Sequence, residues 1–189
     1  RRPFCVVSRL SGGDVEATSV YSEESVSEAD TEVQAALSRG ISGSIVTDER
    51  VISVFVAVPQ MVVVGSGPVA EAVAALGRFV GWEPRLTTES AVASGLIAPL
   101  SGNDKVIIAA HDLELAGAAL TAAIQSRCGY IGSVGSRKMQ ADRADWLAYR
   151  GVTDLTRVNG PAGLDIGADT PAEIAVSIVG EAIAVTRDA

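Results

Sequence analysis

Gly65, Ser66, Gly67 and Pro68, followed by Val69 and Ala70, form a GxGxxA run directly after the apolar stretch 61–64. A strand that turns through such glycines into a helix presents backbone N–H groups to an anion. Gly65 permits the tight turn, Gly67 lets a phosphate approach the backbone, and Ala70 lets the helix pack near its strand. The same residues also suit a purely structural turn. A second run, "YIGSVGSRKM" at 130–139, places Gly135, Ser136, Arg137 and Lys138 between a predicted strand and a predicted helix. Cations in a first helical turn oppose the helix dipole. A bound anion would reverse that penalty, whereas a solvated basic turn would simply bear it.

His111, the one histidine, follows the third predicted strand in "IIAAHDLEL" and could hydrogen-bond a ligand or move a proton near neutral pH. Asp112 reads as a helix cap. Asp165, in "GPAGLDIGAD", stands in a glycine-punctuated loop and suits either a ligand or backbone capping. Asp165, His111 and Asp169 lack metal-ligand spacing, and no Ser/His/Asp or Cys/His set is evident, so no metal site and no catalytic residue is assigned.

The positioning elements follow from hydrophobic periodicity. Residues 1–60 read as a small α+β segment: strands at 4–10 and 15–22, a helix at 28–38, and a hairpin at 42–58 turning at Asp48-Glu49. Residues 61–189 read as a Rossmann-like domain, in which strands at 61–64, 83–87, 104–110, 130–134 and 155–159 alternate with helices at 69–80, 112–127 and 136–149. Thr170-Pro171-Ala172-Glu173 opens a last helix as a capping box. The fold class is thus α/β, a doubly wound parallel sheet. In the doubly wound order the fourth strand lies beside the first, which would make the Gly135 and Gly65 turns immediate neighbours.

Composition narrows the partners. Among 189 residues the net charge is −8, with no long basic run, which argues against nucleic acid. Cys5 and Cys128 are too few and too separated for a thiolate zinc site or a disulfide scaffold, and fit a reducing compartment. No apolar run approaches the ~20 residues of a membrane span. The opening "RRPFCVVSRL" is broken by Ser8 and Arg9 and does not read as a signal peptide. A cytoplasmic location is expected.

Taken in order, "VVVGSGPVAEAVA", "IIAAHDLEL", "YIGSVGSRKM" and "GLDIGADTPAEIAVSIVGEAIAV" resemble the C-terminal domain of the XdhC/CoxI family. These are accessory factors of molybdenum hydroxylases such as xanthine dehydrogenase. The resemblance implies binding of molybdenum cofactor, a pterin dinucleotide, help in its sulfuration, and delivery to an apo-hydroxylase. It also implies a sulfurtransferase as a further partner and a homodimer. Ligand contacts would fall on Gly65, Ser66, Gly67, Pro68, His111, Gly135, Ser136, Arg137, Lys138 and Asp165. Family members carry a Gly-Gly-Cys segment in an N-terminal domain, and residues 1–60 contain none. The alternative is an NAD(P)-dependent oxidoreductase. NAD calls for an acid at the end of the second strand, where "RLTTE" stands instead, while Arg85 would favour a 2′-phosphate.

Overall fold

A computed structural model describes residues 3–22 and 24–187. The chain divides into two compact units, Arg1–Ala57 and Val58–Ala189.

In the first unit, β1 (Phe4–Ser11), β2 (Asp14–Ser22), β3 (Gly43–Val46) and β4 (Arg50–Phe55) form an antiparallel sheet in the order β2-β1-β4-β3. The helix expected at 28–38 is a short 3-10 turn, Val26–Glu28, followed by α1 (Thr31–Ser38). Asp30 causes the break, because its side chain accepts the Glu32 and Val33 amides as the N-cap of α1. Val33, Ala36 and Leu37 then pack on Cys5, Ile52 and Val54. Arg50 pairs with both Asp30 and Glu32.

The second unit carries β5 (Gln60–Val64), β6 (Glu83–Thr87), β7 (Lys105–Ile108), β8 (Tyr130–Ser133) and β9 (Val158–Asn159), all parallel, in the order β6-β5-β7-β8-β9. Its helices are α2 (Pro68–Phe79), α3 (Ser90–Ile97), α4 (Leu113–Gln125), α5 (Arg137–Tyr149) and α6 (Pro171–Arg187). This is a Rossmann-like doubly wound sheet. Strand residues alternate between its faces. Met61, Val63, Ile107 and Tyr130 pack with α2 and α6, while Val62, Val64, Val106, Ile108 and Ile131 pack with α3 and α4.

The strand order corrects one expectation. The neighbour of β5 across the switch point is β7, not β8. Burial explains why. The run Lys105–Ile108 is buried throughout, so it must be interior. The run Glu83–Thr87 exposes Glu83, Arg85 and Leu86 and contains Pro84, so it belongs at an edge. A chain that steps outward once, to β6, returns through α3 across β5 to β7. Helix α3 itself was not expected from the sequence.

Side chains secure the far side of the sheet. Strand β9 is only two residues long. Beside it Arg157 donates to the carbonyls of Ile124, Ser126 and Cys128, which fastens this stretch where a ladder is nearly lacking. Gly117 of α4 lies against the Trp146 ring of α5, and Trp146 Nε1 donates to Glu114 Oε1 at 2.8 Å.

Candidate functional site: the carboxyl ends of β5, β7 and β8

Beyond the strands the ladder continues for one more bond per strand. Gly65 N donates to Thr87 O, Ala109 N to Val64 O, Val134 N to Ile108 O, and Ala162 N to Ser133 O, at 2.8–2.9 Å. The turns after β6, β5, β7 and β8 therefore stand in one row. With strands ~4.8 Å apart, the turn at Gly65 and the turn at Gly135 are roughly 10 Å apart, with the His111 turn between them. The two glycine turns are not immediate neighbours, as the sequence reading had them. They flank a third loop.

The first turn is built for close approach. Gly65 has φ +129°, and a Cβ there would stand 2.6 Å from both Ala109 C and Ala110 N. Only glycine fits between the two backbones. Gly67, at φ +95°, is the N-cap of α2, with Pro68 next, and no side chain caps that end. First-turn amides lack intrahelical acceptors, so the end of α2 is left to solvent or to an anion. Nothing lies within 4 Å of a Cβ placed on Gly67. Ser66 and Pro68 are exposed beside it.

The other predicted residues divide. His111 is exposed in the middle turn, with no hydrogen-bond partner among the described residues, and Asp112 caps α4 through Leu115 N at 2.7 Å. Gly135 has φ +131°. Ser136 caps α5 through Met139 N. Lys138 reaches Asp142 of its own helix at 3.1 Å, while Arg137 is exposed and has no polar partner among the described residues. Asp165 is exposed at the centre of a tight turn closed by Ile166 N and Leu164 O. The start of that loop is tied to the end of β8 through Ala162. Below it Glu181 Oε2 accepts both Tyr130 Oη at 2.5 Å and Gly163 N at 2.9 Å. Burial first, then Glu181, pushes the Tyr130 phenol far above its ordinary value.

The sequence reading passed over Arg143. Only 2% exposed, it donates from Nη1 to Ser133 Oγ at 2.6 Å and Val134 O at 2.7 Å, and from Nη2 to Ala110 O at 2.7 Å. Burial pulls the guanidinium down from its ordinary value, yet arginine remains charged in proteins. Gln140 Nε2 braces the same turn, donating to Ser133 O and Gly135 O. The signal was positional: residues 140, 143 and 147 share one helical stripe, and Leu147 on that stripe is buried.

The arrangement suits an anion above the row of turns: one uncapped helix end, one glycine cradle, and cations at Arg137 and Arg143. No cluster of His, Cys, Asp or Glu among the described residues is placed to hold a metal ion. The second strand ends without a ribose-reading acid, since Thr87 Oγ1 accepts Glu89 N and Arg85 pairs with Glu83. A cavity of about 380 Å³ in the first unit, between α1 and the β1–β2 hairpin, offers less, because its Arg50 is already held by Asp30 and Glu32. No helix among the described residues is long and apolar enough to cross a membrane.

Comparison with known proteins places these features. The family model described as the XdhC Rossmann domain matches residues 61–182. An uncharacterized protein, YqeB of Escherichia coli strain K12, is 27% identical over 164 residues, covering 73% of this chain and 30% of its own length. A solved structure named as a xanthine dehydrogenase from Bacillus halodurans shares the fold, with a TM-score of 0.67 at 18% identity, covering 98% of this chain and 60% of that one. The chain thus spans less than two-thirds of either relative.

Proposed function

The chain belongs to the XdhC family, and from that premise we propose that it is an accessory protein of a molybdenum hydroxylase such as xanthine dehydrogenase. In this reading it holds the pterin-dinucleotide form of molybdenum cofactor, assists its sulfuration and hands it to the apo-enzyme. The hydroxylase and a sulfurtransferase are the partners. The observation that carries the reading is the row of turns at the switch point, where Gly67 leaves the end of α2 uncapped and open.

The residues suit the group. A dinucleotide brings a pyrophosphate, which needs amides and cations. The amides of Gly67, Val69 and Ala70 at the start of α2 supply the first, and Arg137 supplies the second from the α5 turn. Ser136 is committed to its own helix and Lys138 is shared with Asp142, so Lys138 contributes only by giving up a surface pair worth a few tenths of a kcal/mol. When bound, the cofactor supplies the metal and pterin that the hydroxylase uses. The chain's own residues bind and orient it. His111, exposed in the middle turn, is available to donate to or accept from the ligand.

The NAD(P) reading is weaker on the same geometry, because Arg85 is turned to Glu83 and the end of β6 carries threonines. Mass spectrometry of ligand retained by protein purified from a molybdenum-cofactor-producing host tests the choice. A pterin dinucleotide is expected, with hydroxylase activity lost on gene deletion. Retained NADP with normal hydroxylase activity would overturn the proposal.

A further inference from the structure

The crevice has a cation beneath it as well as on its rim. Arg143 reaches from α5 to the ends of β7 and β8, and one guanidinium touches three acceptors, the last residue of β8 and the turns that follow β8 and β7. Ala110 O is carried by the residue just before His111, and Val134 O by the residue just before Gly135. Ala109 and Ala110 are also the backbone against which Gly65 packs. Arg143 thus holds the His111 and Gly135 turns directly, and the Gly65 turn packs on the peptide next to the carbonyl it bonds at Ala110.

All three acceptors are neutral. Among the described residues no carboxylate pairs with Arg143. Taking an ion out of water without a counter-charge is costly, and a buried structural clamp does not need a charge. A neutral donor of the same reach would serve these acceptors without the cost of a buried charge. A fixed, carboxylate-free cation at the His111 and Gly135 turns makes sense where a negative ligand completes it.

We propose that Arg143 is the specificity-determining charge of this crevice, positioning the His111 and Gly135 turns and favouring a ligand with a phosphoanhydride over an uncharged one. The inference rests on the ligand site proposed above. Arg137 and Lys138 act differently. They are exposed, so salt screens them, whereas a buried charge is screened far less.

The test is calorimetric titration of the whole chain with inorganic pyrophosphate, at low and at high salt. Arg143→Met keeps the apolar stem and removes the charge. Ser133→Asp sets a carboxylate beside the same guanidinium, which keeps the clamp and cancels the charge, so it serves even if Arg143→Met fails to fold. Each is expected to weaken pyrophosphate binding about tenfold or more, a factor equivalent to ~1.4 kcal/mol, and the loss should persist at high salt. Arg143→Lys should recover most of the affinity. The loss in a double Arg137→Ala, Lys138→Ala variant should shrink as salt rises. A folded Arg143→Met or Ser133→Asp protein that binds within about twofold of wild type overturns the inference and leaves the site standing. Absence of binding by the wild type overturns the site itself, and the inference with it.

Discussion

Gly65 and Ala109 are packed backbone to backbone, so closely that a Cβ on Gly65 would stand 2.6 Å from the Ala109 carbonyl carbon. The atom in the way is main chain and cannot swing aside. Gly65→Ala combines this clash with φ +129°, and should cost about 2–4 kcal/mol of stability. Gly67→Ala meets open space and bears only the strain of φ +95°, about 1–2 kcal/mol. Gly67→Ala is therefore the cleaner probe. Denaturant unfolding should show a folded protein, and titration should show lost pyrophosphate affinity. Unchanged affinity would remove Gly67 from the site.

Arg137 and Lys138 stand at the dipole-unfavourable end of α5. Replacing both with alanine should leave stability level or raise it by ~0.3–1 kcal/mol per charge, offset slightly by the lost Lys138–Asp142 pair. Ligand affinity should fall in the same protein. Thermal melts with and without pyrophosphate read both effects, and a drop in stability without ligand would assign these cations a structural role instead.

Lys105 is buried at the amino end of β7, with its ammonium 4.6 Å from the Trp82 ring centroid. Burial lowers its pKa from 10.5 to about 8. Between those values the unfolded chain binds the proton that the folded chain has released, so stability should rise with pH from about 8 to 10.5. Lys105→Met should be more stable at pH 7 by about 1–3 kcal/mol, and should lose that rise. Urea unfolding at a series of pH values decides it. A wild-type stability that falls across the window would contradict the sign.

Glu181 serves the Tyr130 hydroxyl and the Gly163 amide through one oxygen. Glu181→Ala strands a buried phenol and should cost about 1–3 kcal/mol. Adding Tyr130→Phe should cost less than the sum of the two single changes, because the orphaned hydroxyl is gone. Strict additivity in a double-mutant cycle would mean that the pair does not interact.

Much of this was legible because the relevant residues mark themselves. The capping box appears as read, with Glu173 Oε2 accepting from Asp169 N and Thr170 N, and Thr170 Oγ1 accepting from Glu173 N. Glycine marked both turns, where positive φ leaves few other choices. Helix α3 was hidden. Its apolar residues Val92, Ala93, Leu96 and Ile97 do repeat at helical spacing, but Ser90, Ser94 and Gly95 imitate a loop, and no side chain caps its start. Strand order was decided by which strand tolerates exposure, a comparison between Lys105–Ile108 and Glu83–Thr87 rather than a property of either alone. Arg143 was missed because a charge on a polar helix reads as solvated, and only the tertiary fold turns it toward Ser133.

Both borders of the five-stranded sheet resist extension. At one, Pro84 removes a backbone donor from β6. At the other, β9 offers only two residues, and Arg157 occupies carbonyls beside it. An edge this short or this interrupted is a poor template for a foreign strand. Self-association through this sheet would therefore have to proceed by its helical faces, and strand-by-strand polymerisation, the common hazard of parallel sheets with open borders, is blocked at both sides.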